Sequence, residues 1–249
     1  MLNLTTVLIV WPLVFLAGFV DAIGGGGGLI SLPAYLFAGI PIHYAIGTGK
    51  LSAAVGTAVP TGIYLKHSKV NWKIMLPAVL LTFIGSAIGA RLSLMINEKV
   101  LKGLLLAVLP VSAFFVLKKG TFINNGKPRS KYADVIVIAS SFLIGTYDGL
   151  YGPGTGTFLL IAFIGLAGID AMEASAMTKV INLTSNVSAL ITFLIHGQTL
   201  ILLGLTAALF SIAGNYFGSA MVLKNGTKAI KPIIIVVLVF LTVKIIADF

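Results

Sequence analysis

Apolar residues come in blocks along this chain, and glycines or polar residues mark the breaks. Residues 5–22 form the first block. The five glycines Gly24–Gly28 follow, and a short block at 29–40 closes at Gly39-Ile40-Pro41. Blocks at 45–65, 74–96 and 100–117 come next. These three are near the roughly 20 residues that a helix needs to cross a hydrocarbon core. The block at 29–40 is too short, since such a helix reaches only about 18 Å. Glycine costs about 1 kcal/mol per residue inside a helix, so the run should break any helix entering it. The pattern therefore predicts a glycine-broken helical hairpin followed by three transmembrane helices. The polar stretch from Lys118 to Lys131, with Asn124-Asn125-Gly126 and Pro128, is the natural midpoint.

The second half retraces the first. At an offset of 129, Lys50 meets Lys179, His67 meets His196, and Lys102 meets Lys231. Gly85 and Gly89 meet Gly214 and Gly218 in the same register. At 128, Gly24, Gly26 and Gly28 meet Gly152, Gly154 and Gly156, and at 127 Asp21 meets Asp148. A register that drifts by one residue at a time is a duplication with small insertions. The expected units are a first repeat at 1–120, a cytoplasmic linker at 121–131 and a second repeat at 132–249.

Composition puts this pattern in a membrane. The chain is 58% hydrophobic and 10% charged, where a soluble domain carries roughly a quarter charged residues. The fold class is thus an all-α polytopic membrane protein. No basic stretch precedes the first apolar block, so nothing there reads as a cleaved signal peptide. The net charge of +10 falls mainly in short loops, as orientation in a membrane requires, and no nucleic-acid partner is expected. With no cysteine and three scattered histidines, neither a metal site nor any cofactor is expected. Nor does a nucleophile–base pair suggest an enzyme.

Loop charges also choose between parallel and inverted halves. If 5–40 and 132–168 are hairpins that leave on the side they entered, each half has an odd number of further crossings and the repeats are inverted. Eleven loop cations, Lys66, Lys69, Lys73 and Lys118 among them, then lie inside, against four outside (Arg91, Lys99, Lys102 and Lys244). Parallel halves give nine against six. The positive-inside rule favours inversion, with Asn125 cytoplasmic and Gln198 and both termini external.

Four charges remain at membrane depth: Asp21, Lys50, Asp148 and Lys179. Each costs roughly 2.5–3.5 kcal/mol at a helix centre, which argues for pairing, function or both. One reading is two ion pairs that lock each hairpin onto the helix after it. Another is an anion site, with Lys50 and Lys179 facing a cavity beside helix N-termini that begin in the glycines. A cation site from the two Asp is a third. Lys179, Asn182 and Asn186 share one helical face, whereas the first half has Ala53 and Thr57 where the second has the Asn pair. An anion site would comprise Lys50, Lys179, Asn182, Asn186, Gly24, Gly26, Gly28, Gly152, Gly154, Thr155 and Gly156. Asp21 and Asp148 would then couple protons, each taking one up when an anion occupies its Lys. Gly152–Thr157 superficially looks like a P-loop, but Thr157 stands where that motif requires Lys.

Gly24–Gly28 with Leu29 and Pro33, Tyr147-Asp148-Gly149 with Gly152-Pro153-Gly154-Thr155-Gly156, and Thr178-Lys179-Val180 with Asn182 and Asn186 resemble the TauE/SafE sulfite-exporter family. Ile230-Lys231-Pro232 with Lys244 resembles its bacterial branch of uncharacterised members. The resemblance covers essentially the whole chain. It implies proton-coupled transport of sulfite, sulfonates or related organosulfur anions across the prokaryotic cytoplasmic membrane. The partners are then a small anion, protons and the bilayer. A passive anion channel is the alternative, although channels more often show rings of charge along a continuous pore.

Overall fold

The computed structural model describes residues 3–118 and 128–225, and every element among them is helical. The first half holds α1 (Leu4–Gly24), α2 (Gly28–Phe37), α3 (Ile42–His67), α4 (Trp72–Met95) and α5 (Glu98–Lys118). The second holds α6 (Ala133–Leu150), α7 (Thr155–Leu160), α8 (Ala171–Ile195) and α9 (Ile201–Asn225). A wider-wound π turn, Ile161–Leu166, continues α7. The expected last helix, the cations Lys228, Lys231 and Lys244, and the linker residue Asn125 lie outside the described residues. Among the described residues, five helices are long and apolar enough to cross a membrane: α1, α4, α6, α8 and α9. α3 is as long, but it buries Thr48, Lys50, Ser52, Thr57 and Thr61 in the bundle.

The glycine run breaks the chain over a shorter stretch than the sequence predicts. α1 continues through Gly24 and α2 starts at Gly28, so only Gly25–Gly27 form the turn. The reason is local. Gly25 ends α1 in the left-handed conformation at φ 73°, with its N–H on the Asp21 carbonyl, and that one residue suffices to stop the helix. Asp21 consequently sits inside the last turn of α1. Asp148 likewise lies within α6, before turns at Gly152 and Gly154 with φ of 97° and 86°.

Packing is reciprocal between the halves. α1 runs alongside α9 in the same direction, with Trp11 stacked on Phe210 at 4.8 Å and Phe15 near Phe217 at 6.3 Å. α6 does the same beside α4. Small residues bring these backbones together. A side chain at Gly85 would lie 2.8 Å from the Phe142 carbonyl, and one at Gly214 would overlap the Phe15 carbonyl. α3 and α8 cross at the centre, and each also contacts the other half's long helix, α9 or α4.

The helix ends gather at two opposite poles. At the first, His43 bonds the Ser93 carbonyl at 3.0 Å, and the Leu200 N–H donates to Thr48 at 3.0 Å. The α1–α2 hairpin returns to this pole, where Ile40 and Ile42 share a core with Val10 and Phe193. At the second pole, the Ser130 N–H donates to the Ala167 carbonyl at 3.0 Å, which closes the α6–α7 hairpin. Val70, Ile74 and Ile169 pack there too.

Candidate functional site

The tips of the two hairpins meet inside the bundle. The backbones of Gly25 and Gly156 touch so closely that a Cβ on Gly156 would lie 2.5 Å from the Gly25 Cα. Thr157 donates to the Gly24 carbonyl at 2.8 Å, and Tyr147 donates to the Pro153 carbonyl at 2.6 Å. Glycine is required here because any other residue would hold the two chains apart.

Both buried Lys residues are paired, and both pairs run between the halves. Lys50, from α3, donates to Asp148 on α6 at 2.7 Å. Lys179, from α8, donates to Asp21 on α1 at 3.0 Å and also reaches the Asp21 main-chain carbonyl. This corrects the expectation that each hairpin is locked onto the following helix of its own half. Because each hairpin tip projects into the opposite half, its carboxylate meets the other half's Lys.

The surroundings of the two pairs differ. The Asp148 carboxylate has Ser185 Oγ 2.6 Å from one oxygen and Thr155 Oγ1 2.7 Å from the other. Its side chain is 3% exposed, against 14% for Asp21. Lys179 is the one hydrogen-bond partner of the Asp21 carboxylate among the described residues.

A cavity lies between the hairpin tips and the α3–α8 crossing. It offers about 70 Å³, on a measure by which one water needs roughly 10–15 Å³, so it has room for several waters or one small polyatomic anion. Of the residues expected at a site, Lys50, Asn182, Asn186, Gly28, Gly152, Thr155, Asp21 and Asp148 line it. Lys179, Gly24, Gly26, Gly154 and Gly156 are not among the lining residues; Gly25 and Gly27 are. Lys179 is held at the C-terminal end of α1, not beside a helix N-terminus.

Among the lining residues that the sequence did not single out, two polar ones come from α9. Ser211 and Asn215 of α9 also line the cavity, and Asn215 donates to the Ser211 carbonyl at 2.9 Å. The Asn215 amide oxygen is buried with no hydrogen-bond partner among the described residues. The signal for them was the spacing of Ser211, Asn215 and Ser219, which places all three on one face of a span. Asn186 donates to Asn182 at 3.2 Å, so these two amides form a linked pair at the wall.

Comparison with known proteins gives this arrangement its context. The model of the TauE/SafE sulfite exporter family matches residues 10–245. The chain belongs to this family. Its similar relatives carry transporter names. A probable membrane transporter protein, ORF9, of a Sinorhizobium species is 37% identical, over 94% of this chain and 90% of the relative. One from Haemophilus influenzae is 35% identical, over 94% and 92%. The probable membrane transporter YfcA of Escherichia coli K12 is 32% identical, over 94% and 87%. No solved structure matches. This TauE/SafE member is thus a multi-pass membrane protein of a transporter family.

Proposed function

We propose that the chain is a secondary transporter that moves a small oxyanion, sulfite or a sulfonate in the first instance, together with protons across a prokaryotic cytoplasmic membrane. The observation that carries this reading is the Lys50–Asp148 pair at the wall of a cavity between two broken hairpins. Broken backbone at membrane depth is tolerated where it lines such a space, and binding between discontinuous helices is the common arrangement in transporters. An entering anion shares the Lys50 ammonium with Asp148, and the amides of Asn182, Asn186 and Asn215 supply further donors. One of the two carboxylates at the cavity, Asp21 or Asp148, takes up a proton as the anion enters, so anion and proton move together.

The same proposal includes inverted repeats at 1–120 and 132–249 joined by a cytoplasmic linker. It is supported by the two hairpins closing at opposite poles, by the reciprocal packing of α1 with α9 and α6 with α4, and by the loop cations. The test is uptake into proteoliposomes under an imposed pH gradient. Radiolabelled sulfite, sulfate, thiosulfate, an alkyl sulfonate and a carboxylate are compared. Accumulation of a sulfur oxyanion above its bath concentration, lost in Lys50→Gln, is expected. Equilibration without accumulation would make the protein a channel, and passage of none of these anions would overturn the reading.

A further inference from the structure

We propose that Asp21 is the residue that takes up and releases the coupling proton, while Asp148 stays ionised as part of the frame around Lys50. This rests on the transporter reading and narrows its two candidate carboxylates to one.

The two residues occupy matching places in the halves, yet the duplication left them different partners. Thr155 and Ser185 bring hydroxyls to Asp148. In the registers that align the glycines and the Lys residues, Gly27 and Gly56 stand at those positions. Gly27 is placed as Thr155 is: a Cβ there would lie 2.7 Å from the Asp21 Cβ and 3.3 Å from its carboxyl carbon. Asp21 therefore keeps one carboxyl oxygen without a donor among the described residues, and it lines the cavity through which a proton would arrive.

The two Lys residues differ in the same sense. If Asp148 were neutralised, Lys50 would keep no other hydrogen-bond acceptor among the described residues, and a buried ammonium without a partner is costly. If Asp21 is neutralised, Lys179 retains the Asp21 main-chain carbonyl. Protonation at Asp21 thus leaves the bundle's hydrogen bonding nearly intact. Among the described residues, the other polar and ionisable groups around it are few. Lys179 faces it from α8, and Tyr64 from α3 donates to the adjacent Ala22 carbonyl at 3.0 Å. On α2, the Tyr35 hydroxyl is engaged by Ser52 at 2.9 Å. From α9 come Ser211 and Asn215. Lys50 and Asp148 share the same cavity.

Two measurements on the purified full-length protein test this. The first is infrared difference spectroscopy of the carboxyl stretch on going from mildly alkaline to mildly acidic pH. One acid-induced component of the wild-type signal should be absent in Asp21→Asn, shifted in Asp21→Glu and kept in Asp148→Asn. A signal unchanged by Asp21→Asn, or one lost in Asp148→Asn, overturns the proposal. The second is sulfite transport in proteoliposomes. Asp21→Asn should retain sulfite–sulfite exchange at equal pH and lose accumulation driven by a pH gradient. If wild type and Asp21→Asn accumulate sulfite equally, the proton site is wrong and the transporter reading stands. If wild type moves no anion while the carboxyl signal maps to Asp21, the transporter reading fails and the proton site stands.

Discussion

Lys50 and Lys179 each depend on a carboxylate from the other half of the chain, and that dependence can be measured one residue at a time. Removing one member of a buried pair strands its partner, at a cost of roughly 3–5 kcal/mol, whereas removing both relieves two desolvation penalties together. Lys50→Gln alone should therefore lower the unfolding temperature clearly, and adding Asp148→Asn should recover most of the loss. Asp148→Asn with Lys179→Gln takes one member from each pair, so its destabilisations should add. Thermal unfolding of Lys50→Gln, Asp148→Asn, Lys179→Gln and the two double variants in detergent checks this, and equal recovery in both double variants would contradict the crossed pairing. The sequence singled out all four charges, each within or beside an apolar block and at matching offsets in the two halves. It did not show who pairs with whom, because spacing along one helix carries no information about which half supplies the neighbour. The hydroxyl of Ser185 was equally hidden, as one serine among several on α8.

At the level of the element, helix spans were legible and turn geometry was not. Apolar block lengths placed α3, α4 and α5 within a few residues of their ends, since each block is bounded by charged or glycine-rich sequence. The glycine run looked like one flexible unit, whereas the structure gives its members separate duties. Gly25 turns the chain and meets Gly156, Gly27 leaves room beside Asp21, and Gly24 and Gly28 are helical. Substitutions should reflect those duties. Gly156→Ala places a methyl 2.5 Å from the Gly25 Cα, so it should force the hairpin tips apart and reduce transport at least tenfold. Gly62→Ala, in α3 with nothing within 4 Å of the added carbon, should leave transport unchanged and gain up to about 1 kcal/mol of helix propensity. Sulfite uptake at matched expression measures both. Wild-type uptake by Gly156→Ala would mean that the contact between the tips is dispensable. Ser211 and Asn215 escaped notice for a related reason: α9 reads as an ordinary span, and two polar residues in it look like isolated exceptions until the face they share is drawn.

For the whole molecule, the reciprocal packing makes a statement about sides of the membrane. Ser68 and Ser130 belong to one pole of the bundle, and Asn97 and Gln198 to the other. Single cysteines at these four positions, in a chain that has none of its own, can be challenged with an impermeant thiol reagent in intact cells. Labelling at 97 and 198 but not at 68 and 130 is expected from the loop cations near Ser68. The reverse pattern would turn the molecule over, and labelling of one position from each pair would break the two-pole arrangement. The crossed ion pairs also bear on how the protein is made. Asp21 precedes Lys179 by 158 residues, and Lys50 precedes Asp148 by 98. A ribosome that has finished the first half has therefore placed an acid and a base at membrane depth with neither permanent partner yet synthesised. The nascent half must wait, shielded by the insertion machinery or by transient contacts of its own, until the second half arrives. The arrival of α8, which carries Lys179, and not the end of the first half, is the moment at which this membrane protein first becomes electrically self-sufficient.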